Sequence, residues 1–260
     1  MLRALYTAAT GMQAQQINID TIANNIANVN TTGFKQGRAE FQDLLYQTIR
    51  PAGTAASSST TYPVGLQVGL GTKPVATDRI QSQGDFRNTG NPYDMVIEGK
   101  GFFQVKLPNG ETGYTRDGSF HINADGTLVT SEGDPLEPQI TIPANSETVT
   151  IGKDGTVSAT VAGVSQQVGS MQLANFANPA GLNAVGSNMF KQTTASGDAV
   201  TGAPGDNGIG RVNQGFLENS NVSVVEEMVN MIIAQRAYEV NSKAVKVADD
   251  MLAQINNLIR

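Results

Sequence analysis

Apolar residues near the C-terminus recur in alternating steps of three and four, the spacing that lines up side chains along one seam of a coiled-coil helix. Neither Pro nor Gly interrupts residues 219–260. The seam comprises Met231, Ala234, Tyr238, Val245, Ala248, Leu252, Ile255 and Ile259, with Asn241 as a polar member. The pattern predicts one long helix, which we assign to residues 219–260.

A second apolar seam runs beside the first on the same predicted helix. Its members are Ile233, Ala237, Val240, Ala244, Val247, Met251 and Leu258. One seam needs one partner helix, whereas two adjacent seams form an apolar arc that needs several partners. Ser223 and Glu226 have the spacing of a capping box, which predicts that the helix begins there.

The N-terminus repeats this spacing and predicts a second helix, from about residue 2 to about residue 28. Its seam comprises Leu2, Leu5, Ala9, Met12, Ile19, Ala23 and Ile26. Asn24, Asn25 and Asn28 crowd its end. Two interpretations of these residues remain open: a fraying helix end, or amides that bond to neighbouring helices and set their register. Gly33 follows and stops the helix.

Between the two helices the pattern changes to short alternating runs separated by turns. Asn109-Gly110, Asp125-Gly126 and Asp154-Gly155 are strong hairpin signals, because such turns need positive φ at their centre. These features predict an all-β domain over residues 93–218. The fold class is therefore α+β, with a helix at each end of the chain and antiparallel strands between them.

Residues 35–92 connect the N-terminal helix segment, residues 1–34, to the β domain. An apolar cluster near the start of this connection predicts either a short helix or an extended arm. The cluster comprises Phe41, Leu44, Leu45, Tyr46 and Ile49. Residues 52–61 are rich in Ala, Ser and Thr, which predicts a flexible loop or the tip of a long hairpin.

The amino-acid composition excludes several classes of binding partner and of chemistry. The formal net charge is −6, which argues against nucleic acid because phosphate binding needs a basic surface. Cys is absent, so disulfides, thiol catalysis and Cys-ligated metals are excluded. No run is long and apolar enough for a membrane span, and the N-terminus lacks the features of a secretory signal. We therefore expect a cytoplasmic protein or one exported without a cleaved signal.

Motifs of catalysis and cofactor binding are weak in this chain. His121 is the one His and is predicted to be an ordinary strand residue. Asp117, Asp125 and Asp154 each precede Gly but lack the spacing of a calcium loop. Gly99-Lys100-Gly101 lacks the third Gly and the following helix of a dinucleotide site. No catalytic residue, cofactor or metal is predicted, although a carboxylate pair brought together by folding stays open.

The two terminal helices imply assembly. If they packed only against each other, most of the second C-terminal seam would remain in water, so packing against further copies is favourable. Head-to-tail contacts that do not close produce a helical filament or tube. A closed trimeric or tetrameric bundle is the competing outcome.

Several stretches carry a resemblance to the bacterial flagellar rod and hook family. They read ANNIANVNTTGFK at 23–35, GKGFF at 99–103, YTRDGSF at 114–120, SNVSVVEEMVNMI at 220–232 and QRAYE at 235–239. The likeness covers nearly the whole chain. Within the family, FQDLLYQTIR at 41–50 resembles the segment after the first helix in distal rod subunits.

This resemblance implies a structural subunit of the flagellar basal body that polymerises into the hollow, rigid distal rod. The rod transmits torque from motor to hook and serves as an export conduit. Implied partners are further copies, proximal rod subunits, the hook protein, the peptidoglycan-ring and outer-membrane-ring proteins, and the type III export apparatus. The terminal helices would form the inner tube and the β domain would face outward.

Three alternatives remain open: a proximal rod or other axial subunit, a closed coiled-coil fibre, and an enzyme acting on cell-wall polymer. The segment from residue 35 to about residue 71 is expected to pack on neighbouring subunits and to make the rod stiff.

Overall fold

The computed structural model describes residues 2–54, 61–206 and 208–258. These residues contain a helix near each end, α1 (Leu2–Ala27) and α2 (Val224–Leu258), with short strands between them. The predicted α+β fold and both predicted helices are therefore confirmed. The described residues divide into two compact units.

Unit 1 combines Met1–Ile26, Gly37–Asp78 and Ser223–Arg260, so it contains most of α1 and all of α2. Four strands accompany the helices: β1 (Gly37–Asp43), β2 (Tyr46–Arg50), β3 (Leu66–Gly69) and β4 (Thr72–Arg79). β1 pairs with β4, and β2 pairs antiparallel with β3. The apolar cluster at 41–49 thus lies on an extended arm rather than on a short helix.

The predicted start of α2 can be compared directly with the structure, whereas the predicted loop at 52–61 can be compared only at its ends. Glu226 and Glu227 lie in the first turn of α2, where their charge complements the helix dipole. Of the predicted flexible loop at 52–61, residues 55–60 lie outside the described residues.

Unit 2 combines Ala27–Gln36 with Arg79–Val222 and is built from short strands. The strands are β5 (Phe86–Asn88), β6 (Met95–Glu98), β7 (Phe102–Lys106), β8 (Thr112–Thr115), β9 (His121–Ile122), β10 (Leu128–Val129), β11 (Ser146–Ile151), β12 (Thr156–Val161), β13 (Val164–Ser170), β14 (Leu173–Asn175), β15 (Asn183–Gly186), β16 (Met189–Lys191), β17 (Val200–Gly202), β18 (Arg211–Gln214) and β19 (Phe216–Glu218). A single-turn 3-10 helix spans Pro179–Gly181.

The largest sheet of unit 2 has six strands in the order β15-β16-β8-β7-β14-β17. A three-stranded meander, β11-β12-β13, accompanies it, and β18-β6, β19-β5 and β10-β9 form pairs. The three predicted hairpin turns are present, with φ of +84°, +79° and +80° at Gly110, Gly126 and Gly155. The β domain was predicted to begin at residue 93, but the long segment of unit 2 begins at Arg79. This segment includes β5, which pairs with β19.

Unit 2 has two clusters of buried apolar side chains. The larger one includes Met95, Phe103 and Phe120, and the rings of the two phenylalanines meet edge to face. The smaller one is aromatic and includes Phe102, Tyr114, Phe176 and Phe190. Each large apolar side chain buried in these clusters contributes roughly 1.5–3 kcal/mol to the stability of the strands.

Candidate assembly surface

The two terminal helices touch each other at two points in unit 1. A Cβ built on Gly11 of α1 lies 2.9 Å from Nδ2 of Asn241 on α2. Asn25 donates through Nδ2 to Glu227 Oε2 at 3.3 Å. The two contacts are two heptads apart on each helix and run in opposite directions, so α1 and α2 are antiparallel and share one register.

The predicted first seam of α2 includes the most buried positions in the body of that helix. Ala234 and Ala248 are 1% and 3% exposed, and Met231, Asn241, Val245 and Leu252 are half-buried. Tyr238 and Ile255 are more exposed. Ile259 lies outside the described residues. Two members of the predicted seam, Ala234 and Ala248, are thus buried within a single chain.

The predicted seam of α1 lies beside the most buried face of that helix. Leu5, Met12, Ile19 and Ile26 are half-buried, whereas Leu2, Ala9 and Ala23 are exposed. The buried positions are Ala8, Ala14, Ile22 and Asn25. Sequence reasoning missed this face because small and polar residues form much of it, and the heptad spacing of Gly11, Asn18 and Asn25 was a signal that could have revealed it.

Asn25 is the buried member of the predicted asparagine cluster. Its Nδ2 donates to Gly37 O at 2.8 Å, and its Oδ1 accepts from Gly37 N at 2.8 Å. The side chain thus joins the end of α1 to the first residue of β1 and to Glu227 of α2. Asn24 is exposed, and Asn28 is half-buried and accepts a bond from Thr31. These contacts favour the register interpretation over a fraying end for Asn25.

Most of the second seam of α2 is exposed, although Ala237 is half-buried and the side chain of Leu258 lies outside the described residues. Ile233, Val240 and Val247 are 62%, 63% and 56% exposed. Val225, Val229 and Ile232 extend this apolar stripe toward the start of the helix. Scattered exposed apolar residues need no explanation, but a continuous stripe of this kind marks an interaction surface.

The arm formed by β1 to β4 carries further exposed apolar side chains. Leu45, Tyr46 and Ile49 are exposed on or beside β2, Phe41 is marginally exposed, and Leu44 is half-buried. Their partner strand β3 begins with Leu66, which is also exposed. The arm therefore presents a second apolar surface in unit 1.

A buried ion cluster in unit 2 joins the segment that follows α1 to the segment that precedes α2. Lys35 Nζ lies 2.5 Å from Glu218 Oε1 and donates to Ser82 O at 2.8 Å. Glu218 Oε2 lies 3.6 Å from Nη1 of Arg116, and Gly84 N donates to Glu218 Oε1 at 3.0 Å. Burial lowers the pKa of Lys35 and of Arg116, while Glu218 opposes both shifts.

Asn221, three residues before α2 in the sequence, adds further hydrogen bonds beside this cluster. Its Nδ2 donates to Ile80 O at 2.8 Å and to Ser82 Oγ at 2.9 Å, and its Oδ1 accepts from Gln36 N at 2.7 Å. Residues 33–36, 80–85 and 218–221 are therefore joined by side chains as well as by backbone bonds. The structure thus fixes the chain just after α1 and just before α2 within the same unit.

The described residues give little support for a catalytic or metal site. His121 lies exposed on β9, where an ordinary strand residue was predicted. Among the described residues, no group of three or more His, Cys, Asp or Glu side chains is arranged to hold a metal ion. Neither described helix has a stretch that is long and apolar enough to cross a membrane.

Three family models match this chain. The model of the flagella basal body rod protein matches residues 5–35, that of the flagellar hook protein FlgE/F/G D1 domain matches 96–159, and that of the flagellar basal body rod FlgEFG protein C-terminal matches 213–258. The matches fall on α1 with the segment after it, on the β unit, and on α2. The class is thus that of axial flagellar proteins.

Relatives are similar over the whole chain. The flagellar basal-body rod protein FlgG of Borreliella burgdorferi is 53% identical, with 100% of both chains covered. That of Caulobacter vibrioides is 50% identical over 99% of both chains, and that of Bacillus subtilis is 40% identical over 100% of both. The chain belongs to the FlgG family of flagellar basal-body rod proteins and is a structural subunit of the rod in the flagellar basal body.

Proposed function

We propose that this subunit polymerises through its terminal helices into the hollow, rigid distal rod. The observation that carries the proposal is the exposed stripe of Ile233, Val240 and Val247 on α2, beside a seam that α1 already covers in part. Each Å² of apolar surface removed from water contributes roughly 25 cal/mol, so covering this stripe with further helices favours association. Family membership supports other copies of this chain as the covering partners.

The predicted seam residues take part in these contacts in two ways. On α2, the seam around Ala234, Ala248 and Leu252 packs within the subunit, and the exposed second seam meets neighbours. On α1, the exposed Leu2, Ala9 and Ala23 meet neighbours as well. Residues 1–34 and 219–260 act as assembly segments, 35–92 as the arm and 93–218 as the β domain.

The surrounding partners follow from a position in the distal rod. Proximal rod subunits lie below, the hook protein lies above, and the peptidoglycan and outer-membrane rings surround it. Copies reach this position through the flagellar export apparatus, and the assembled tube transmits torque and conducts later exports. The role is structural rather than catalytic, in keeping with the family of rod proteins to which the chain belongs.

The arm stiffens the rod by packing on neighbouring subunits. Its exposed Leu45, Tyr46 and Ile49 on a β-hairpin supply an apolar contact that does not depend on the helices. A Leu45→Ser, Ile49→Ser variant is therefore expected to form rods that bend more easily. Persistence lengths of negatively stained rods measure this, and unchanged stiffness would remove the arm from the proposal.

The central test compares two charge insertions on exposed positions of α2. Val240→Asp places a carboxylate in the second seam, and Gln235→Asp places the same charge at an exposed position outside both predicted seams. Purified full-length subunits are concentrated and examined by electron microscopy. We expect Gln235→Asp to form filaments like those of the original chain and Val240→Asp to form none. Filaments from both variants would refute assembly through the second seam.

A further inference from the structure

Unit 2 contains a cavity of about 340 Å³ at one end of its aromatic cluster. Phe102 and Phe176 form apolar walls, and their rings meet edge to face with centroids 5.8 Å apart. Gln81, Lys100 and Arg116 supply polar walls. The cavity therefore combines flat apolar faces with hydrogen-bond donors, as binding pockets for small polar groups do.

Two of these wall residues carry buried donors that lack an acceptor within the described part of the chain. Arg116 donates through Nη1 to Ile97 O at 3.3 Å and through Nη2 to Gly99 O at 2.6 Å, but its Nε has no partner. The Nε2 of Gln81 is likewise buried without an acceptor. An unsatisfied buried donor costs about 1–3 kcal/mol, so a group rich in acceptors is favoured beside them.

Positive charge exceeds negative charge around the cavity. Lys35 and Arg116 share the single carboxylate of Glu218, so the buried cluster carries one excess cation. Lys100 is exposed at the rim and forms no ion pair with any described residue. Arg79 adds a further cation, because its guanidinium lies 5.2 Å from the ring of Phe190 in the same aromatic cluster.

We propose that this cavity receives a carboxylate side chain from a second copy of this chain. A carboxylate offers only acceptors, which is what Gln81 and Arg116 lack, and its charge complements Lys100. The methylene groups of Asp or Glu pack against the side chains of Phe102 and Phe176 that line the cavity. The chain itself can supply the carboxylate, since it has 23 acidic residues against 17 basic ones. The inference rests on the proposed self-assembly and names one contact between the β units of neighbouring subunits.

The test compares Lys100→Glu with Lys106→Glu in the full-length chain. Both side chains are exposed, lie close together in sequence and change charge by the same amount, but Lys106 does not line the cavity. We expect Lys100→Glu to weaken self-association, measured by sedimentation over a range of concentrations, by about tenfold or more, and Lys106→Glu to leave it nearly unchanged. Circular dichroism checks that both variants are folded.

A second variant separates a specific carboxylate contact from general electrostatics. Gln81→Glu places an acceptor of nearly the same size in the cavity wall, so it competes with the incoming carboxylate, and we expect weaker association. Gln166→Glu adds the same charge at an exposed position of the β unit, outside the cavity lining, and serves as its control. Equal effects within each pair of variants would overturn the proposal while leaving self-assembly intact.

The probe for the isolated site is propionate, titrated into the dilute full-length subunit and followed by the side-chain amide signal of Gln81. A saturable shift that Lys100→Glu abolishes supports a carboxylate site. Binding of inorganic phosphate together with an unchanged association of Lys100→Glu would instead define a small-anion site and overturn the proposed contact. If the original chain does not self-associate, the proposed assembly is wrong, and the contact that depends on it is wrong as well.

Discussion

A Cβ built on Gly11 lies 2.9 Å from Nδ2 of Asn241, so α1 and α2 lie close together where a residue without a side chain faces a polar one. Gly in a helix interior costs about 1 kcal/mol relative to Ala. The close approach accounts for its presence, because a larger residue would push α2 away. Asn241, the polar member of the first seam of α2, thus faces Gly11 of α1.

Substitutions at Gly11 should therefore depend on size. Gly11→Ala displaces only the end of the Asn241 side chain, which can rotate, so we expect little loss of stability. Gly11→Leu overfills the contact and should destabilise the helix pair by about 1–3 kcal/mol. Hydrogen exchange of α2 amides in the full-length chain measures the difference. Gln13→Leu, at an exposed position, is the control, and Asn241→Ala should partly rescue Gly11→Leu.

Leu252→Asp should block polymerisation while leaving unit 2 folded. Leu252 is half-buried on the first seam of α2, and a carboxylate placed there loses hydration without gaining a partner. Electron microscopy reports filaments, and dispersed amide signals of the β unit report its fold. Gln254→Asp, at an exposed position two residues away, should assemble normally. Filaments formed by Leu252→Asp would contradict the seam assignment.

Asn25→Ala should release β1 from the end of α1. The change leaves both backbone groups of Gly37 without their side-chain partner, and unpaired buried groups cost about 1–3 kcal/mol. We expect faster hydrogen exchange at the Gly37 amide and weaker assembly. Gln13→Ala tests whether an exposed amide on the same helix has any comparable effect. Identical exchange in both variants would show that Asn25 does not hold the arm.

The buried ion cluster predicts an order of stabilities. Glu218→Gln leaves Lys35 and Arg116 buried without a counter-charge and should lower the free energy of unfolding by about 3–5 kcal/mol. Lys35→Met should cost less, because Arg116 and Glu218 then balance one to one, with Nη1 and Oε2 3.6 Å apart. Denaturant unfolding followed by signals of the β unit measures both. The reverse order would mean that Arg116 is not part of the charge balance.

The lowered pKa of Lys35 predicts a pH dependence. Burial holds it below the ordinary value of 10.5, so between the two values the unfolded chain binds more protons than the folded chain. The contribution of Lys35 to the free energy of unfolding therefore increases with pH in that window. We expect unfolding curves from about pH 7 to about pH 10 to show this increase, and Lys35→Met to remove it. Parallel curves for the two proteins would contradict the lowered pKa.

The parts of the fold that the sequence predicted correctly rest on local periodicity. The helix α2 could be predicted because the spacing of Ala234, Ala248 and Leu252 follows from helix geometry alone. The turns at Gly110, Gly126 and Gly155 could be identified because positive φ favours Gly. Both features involve neighbouring residues, so no knowledge of distant contacts was needed.

The parts that were missed depend on contacts between distant residues. Lys35 and Glu218 are 183 residues apart, and no pattern near either one marks it as buried. The cavity beside Arg116 likewise draws its walls from four separate stretches of chain. The buried face of α1 was missed for a different reason, since three of its four buried residues, Ala8, Ala14 and Asn25, are small or polar.

The bond between Lys35 and Glu218 also sets an order of events during synthesis. A chain made from its N-terminus exposes Lys35 early, yet the carboxylate that neutralises it is added only after most of the β unit. A chain that stops short of Glu218 leaves Lys35 and Arg116 without their counter-charge, so burying them is unfavourable. We therefore expect a chain that ends before Glu218 to have a less stable β unit and to be cleaved by proteases faster than the full-length chain.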